Sequence, residues 1–180
     1  MQNKTQNKLK ILTIFAGCLL FRLLPLRAPN VEPIMASLMP LSRKYGAFFS
    51  FAFGFSSIFL YDMLTSYGSW TWVVGITYGL TGVASFLYFK NKKGSSIWDF
   101  AKFAFVATIV FDLVTGVLMA PFLGQNIWNA FLLQIPFTAL HLAGNIGFAL
   151  TLSPLLNKWL ASKEFFSLVN GSELKYSFEK

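Results

Sequence analysis

Residues 113–157 read LVTGVLMAPFLGQNIWNAFLLQIPFTALHLAGNIGFALTLSPLLN, a run of 45 residues without one Asp, Glu, Lys or Arg. A helix that crosses a bilayer needs about 20 mostly apolar residues, so the run holds the outer end of one span, a short turn at Gly124-Gln125-Asn126, and a second span with His141 near its middle. Working outward, residues 45–61 and 63–89 are two more charge-free runs. The chain is 55% apolar and 12% charged, with mean hydropathy +0.57. An average soluble domain is about 25% charged. These features predict an all-α integral membrane protein, a bundle of about six transmembrane helices filling residues 1–157. Residues 158–180 mix Phe and Leu with Lys and Glu, and read as a cytoplasmic interfacial and polar tail.

The helices are expected near 9–24, 31–42, 46–64, 70–90, 98–121 and 128–153. The second is short, between Glu32 and Arg43, a length tolerated where protein instead of lipid surrounds the backbone. The apolar stretch after Lys10 is read as a retained helix, although Phe15-Ala16-Gly17-Cys18 is similar to a lipoprotein cleavage box.

Net charge +8 suggests nucleic acid, but in so apolar a chain Lys and Arg fix orientation instead. With the N-terminus placed in the cytoplasm, 13 of the 15 basic residues fall on inner segments. Only Arg22 and Arg27 fall outside. Both termini are therefore expected in the cytoplasm, and the protein in the cytoplasmic membrane as a multi-pass chain. The lone Cys18 excludes an internal disulfide and a Cys-based metal cluster, and no cofactor is implied.

The two exceptional arginines belong to Arg22-Leu-Leu-Pro25-Leu-Arg27-Ala-Pro29-Asn30-Val-Glu32-Pro33, a stiff connection with three prolines. Its charges admit a bland reading, with Arg22 reaching the headgroups and Arg27 pairing with Glu32. Asp62 and Asp112 fall in the outer halves of their helices, where an ionisable group is by default a functional hypothesis. Gln134, His141 and Asn145, spaced seven and four apart, share one face of the last helix. That face must meet other helices or a cavity. Gly75, Gly79 and Gly82 form a smooth stripe suited to close helix contact.

An enzyme reading was tested on His141-Leu-Ala-Gly-Asn145, which has the His-x-x-x-Asn spacing of rhomboid proteases. The serine motif of that family is absent, Gly54-Phe-Ser56-Ser57 being the nearest string and lying before the His. There is one His, so no paired-His zinc motif, and no glycine-rich phosphate loop. No enzyme activity is expected.

The six short helices, Arg22-x-x-Pro25…Pro29-Asn30-x-x-Pro33, the acid Asp62 before an aromatic outer loop, and Phe111-Asp112-x-x-Thr115 together resemble the substrate-binding S component of energy-coupling factor transporters. The resemblance covers about residues 9–155. It implies an outward-facing pocket for a ring-containing, vitamin-like molecule, lined by the first outer loop and the outer halves of later helices. The residues it marks for substrate are Arg22, Arg27, Asn30, Glu32, Asp62, Trp70, Asp112, Thr115, Gln134 and His141. It also implies a transmembrane T component and two cytoplasmic ATPases as partners. One departure stands out: the family packs its first helix through two alanines four apart, whereas Ala16 is followed by Leu20. The competing readings are a structural membrane protein of the rod-shape-determining kind and a solitary small-molecule carrier.

Overall fold

The computed structural model describes residues 2–25, 31–92 and 96–162, all of whose regular structure is helical. Five α-helices follow one another: α1 (Gln2–Leu23), α2 (Ile34–Thr65), α3 (Ser69–Phe89), α4 (Ile97–Asp112) and α5 (Ile127–Ala161). The path of α4 continues as a π-helical stretch, Leu113–Leu118, and a 3-10 turn, Ala120–Leu123. Four helical stretches are long and apolar enough to cross a membrane: Ile34–Thr65, Ser69–Phe89, Ile97–Leu123 and Ile127–Ala161.

The expected second and third helices are the two arms of α2. Gly46, with φ 86° and ψ −178°, interrupts it in a conformation that a side chain disfavours. The arms fold back on each other, because Arg22 at the end of α1 touches both ends of α2. Its guanidinium lies 3.1 Å from Glu32, just before α2 begins, and 4.0 Å from the Tyr61 ring near the α2 C-terminus. At the opposite end Lys44 donates to the Leu160 carbonyl and to Asn7, and Lys10 donates to the carbonyls of Trp159 and Ser162. Two ammonium groups thus cap the negative end of the α5 dipole. Among the described residues, α1, the two arms of α2, α3, α4 and α5 pack together, with a lysine-rich end that holds Lys10 and Lys44 and an opposite end that holds Arg22, Glu32 and Asp62.

The first arm is the core. Residues 32–42 are all buried, and Ile34, Met35, Leu38, Met39 and Leu41 have no exposure at all. A rod apolar all round belongs in the interior, which explains how so short a helix is accommodated. The second arm packs on α3 through the glycine stripe. A Cβ built on Gly82 would stand 2.5 Å from the Ser50 carbonyl oxygen, and one on Gly54 2.6 Å from that of Tyr78. Thr71 closes this hairpin by donating to Asp62 across 2.7 Å.

Side-chain caps set the starts of the last two helices. Ser96 accepts from the Trp98 N–H, and Asn126 from those of Trp128 and Asn129. In the turn before α4, the hydrogen bond to Asp99 holds the Lys92 ammonium above its ordinary pKa. Pro136 and Pro154 lie within α5 without ending it. The outer surface is strongly apolar, with Leu132, Leu133 and Trp128 all exposed on α5. Contiguous apolar surface of this extent is a liability in water and is at home in lipid.

Candidate functional site

Where α4 and α5 pack antiparallel, residues four apart on each helix meet as parallel rungs. On α4 these are Thr108 and Asp112, and on α5 Asn145 and His141. Asn145 Nδ2 donates to the Thr108 hydroxyl at 2.8 Å, and His141 Nδ1 stands 2.7 Å from Asp112 Oδ1. The Thr108 hydroxyl in turn points to Met35 Sδ of the central arm, 3.6 Å away. All four side chains are buried.

One heteroatom pair at 2.7 Å holds one proton between its members, and the imidazole tautomer decides which of the two donates. Three atoms of these rungs keep unused capacity. Asp112 Oδ2, His141 Nε2 and Asn145 Oδ1 are buried with no hydrogen-bond partner among the described residues. An unsatisfied buried polar group costs about 1–3 kcal/mol, more when it is charged, so an arrangement serving stability alone would have paired them. No Ser, Thr or Cys hydroxyl or thiol is bonded to His141 among the described residues, and no group of three His, Cys, Asp or Glu gathers there around a metal-sized centre.

A second polar tier adjoins the first. Glu32 accepts from the Tyr78 hydroxyl and pairs with Arg22 at 3.1 Å. The Tyr78 ring packs on Phe111 with centroids 4.5 Å apart, and Phe111 meets His141 edge-on at 5.7 Å. Arg22, Glu32, Tyr78, Phe111, Asp112 and His141 therefore form one connected cluster in the half of the bundle away from the lysine-rich end. Arg22 is paired instead of reaching for headgroups. Glu32 pairs with Arg22, while the expected partner Arg27 lies outside the described residues.

The other expected site residues divide. Gln134 lies further from the lysine-rich end, packed where a Cβ on Gly116 would sit, and with Thr138 it borders a groove of about 330 Å³ between α4 and α5. The Thr115 hydroxyl bonds back to the Phe111 carbonyl of its own helix at 2.8 Å, and the π-helical stretch that begins at Leu113 shifts its register from that of Asp112. Asp62 is engaged by Thr71, as a hairpin fastener. Trp70 is 46% exposed and lays its ring over Gly68. Arg27 and Asn30 lie outside the described residues, as does the tail beyond 162. Sequence reasoning missed Tyr78 and Thr108. A lone Tyr in the glycine-lined stretch of α3 was the available signal for the first, since a buried phenol requires a partner.

No family model matches the chain, and no curated protein or solved structure is significantly similar to it.

Proposed function

We propose that this chain is the membrane-embedded substrate-binding subunit of an importer of the energy-coupling factor type. It would cross the cytoplasmic membrane six times with both ends inside, capture a ring-containing, vitamin-like molecule from outside, and be energised by separate T and ATPase subunits. The single observation that carries the reading is the trio of unsatisfied atoms, Asp112 Oδ2, His141 Nε2 and Asn145 Oδ1, beside a second buried charged tier. Acceptors and an imidazole nitrogen aligned along one seam suit the hydrogen-bonding edge of a polar ring, while Phe111 and Tyr78 offer faces for its plane. Both acids in this tier, Glu32 and Asp112, are held by neighbours, as a pre-organised site requires.

A structural role is the second reading, favoured by Asp62–Thr71 and Asn145–Thr108, which are complete interhelical bonds needing no ligand. The two readings separate in one experiment. The chain is co-expressed with candidate ATPase and T subunits, and uptake of labelled vitamins is measured beside pull-down. The importer reading requires uptake that depends on the ATPases and is lost in Asp112→Asn; a structural protein gives neither.

A further inference from the structure

Lys102 sits one turn into α4 at the lysine-rich end, and from it a groove of about 510 Å³ runs along the seam between α3 and α4. Its walls are Leu80, Ala84, Phe103, Val106, Ala107 and Val110, with Thr77 and Thr81 among them. Neither hydroxyl seeks a ligand, because Thr77 donates to the Val73 carbonyl and Thr81 to that of Thr77. The occupant of the groove is therefore apolar.

The mouth is of the opposite character. Tyr88 lines it, and the Lys92 ammonium lies 4.5 Å from the centre of that ring. Lys92 is committed to Asp99 at 2.5 Å, whereas Lys102 and the exposed Lys90 form no ion pair among the described residues. Three lysines and one aspartate leave the mouth cationic. The neighbouring Trp98 and Ile97 are exposed, as residues at a headgroup layer are.

From Lys102 to Val114 the groove runs about 18 Å along α4 at 1.5 Å per residue. A cationic mouth at one end of an apolar channel of that length complements an anionic headgroup joined to a hydrocarbon chain.

We infer that the α3–α4 groove is a binding site for one anionic phospholipid, with an acyl chain along Leu80, Ala84, Phe103, Ala107 and Val110 and the phosphate at Lys102. Basic pockets between spans at the cytoplasmic side commonly hold such headgroups. The site is separate from the Asp112 cluster and does not rest on the importer reading.

The test is native mass spectrometry of the full chain, delipidated in mild detergent and titrated with phosphatidylglycerol or phosphatidylcholine of identical acyl chains. One adduct is expected, with at least a tenfold preference for phosphatidylglycerol. Lys102→Gln should reduce that preference threefold or more, and Ala107→Trp, which fills the groove, should remove the adduct of either lipid. Asp112→Asn should leave it unchanged. The comparison of the two lipids on unmodified protein stands even where a variant misfolds. Equal retention of both lipids, a preference that survives both substitutions, or a protein dimer abolished by Ala107→Trp each overturns the assignment, the last by giving the groove to a second copy.

Discussion

His141 Nδ1 and Asp112 Oδ1 are 2.7 Å apart inside the α4–α5 seam, and the far atom of each side chain, Nε2 and Oδ2, is buried without a partner among the described residues. Among those residues the partner of Asp112 is an imidazole. Replacing Asp112 by Asn leaves no stranded fixed cation, since the imidazole can remain neutral and accept or donate one bond to the amide. Loss of stability should stay near that of one hydrogen bond, about 0.5–1.5 kcal/mol, whereas ligand affinity should fall by ~1.5–3 kcal/mol, the value for a bond to a charged group. Thermal denaturation and isothermal titration on one preparation measure both. Lost stability with unchanged affinity would make the pair a helix lock.

Glu32 is a different case, because its partner Arg22 carries a permanent charge and has an 11% exposed side chain. Glu32→Gln keeps an acceptor for the Tyr78 hydroxyl but removes the negative charge that faces the guanidinium. Removing one partner of a buried pair costs about 3–5 kcal/mol. The double change Arg22→Met with Glu32→Gln should recover most of that loss. Melting temperatures of the two single variants and the double variant complete the cycle.

The glycine stripe gives a packing prediction with an internal control. A Cβ at position 82 would meet the Ser50 backbone at 2.5 Å, and backbone cannot swing aside. Gly82→Ala should destabilise by about 1–3 kcal/mol, as overpacking does. Gly147 on α5 has nothing within 4 Å of its would-be Cβ, so Gly147→Ala should be neutral or gain up to about 1 kcal/mol from helix propensity. Paired denaturation curves check the contrast.

The proposed orientation rests on the gathering of Lys10, Lys44 and Lys92 at ends of the rods away from Arg22 and Asp62. In a Cys18→Ala background, single cysteines at Ser66 and Gln125 should react in intact cells with a membrane-impermeant thiol reagent, and Lys92→Cys should not. Labelling at 92 with silence at 66 and 125 would invert the proposed arrangement.

Much of this architecture is legible in the sequence because the bilayer imposes a coarse rule. Charge-free runs become α3, most of the second arm of α2, the end of the α4 path and most of α5, and the spacing of His141 and Asn145 places both on one buried face. Other features depend on tertiary context. Residues 33–42 have no helical polar face to orient them, and their burial on every side follows only from the rods that surround them. The pairing of Glu32 with Arg22 joins the last turn of α1 to the start of α2, a contact decided by where α1 ends and not by any local spacing. Thr115 is spaced to join Asp112 on an ideal α-helix, and the π-helical stretch after Asp112, which no local residue type announces, moves it away. Asp62 shows the limit of treating every membrane-depth acid as functional, since Thr71, nine residues on, is enough to engage it.

The central claim, that the buried tier around Asp112 and His141 receives a small ligand, is tested most directly by mass spectrometry of what leaves the protein when it is purified in mild detergent and then denatured. The account predicts one polar, ring-containing compound in near-stoichiometric amount from the unmodified chain, and its absence from equally folded Asp112→Asn protein. Folded protein that releases no such compound, or releases the same amount from both forms, would contradict it.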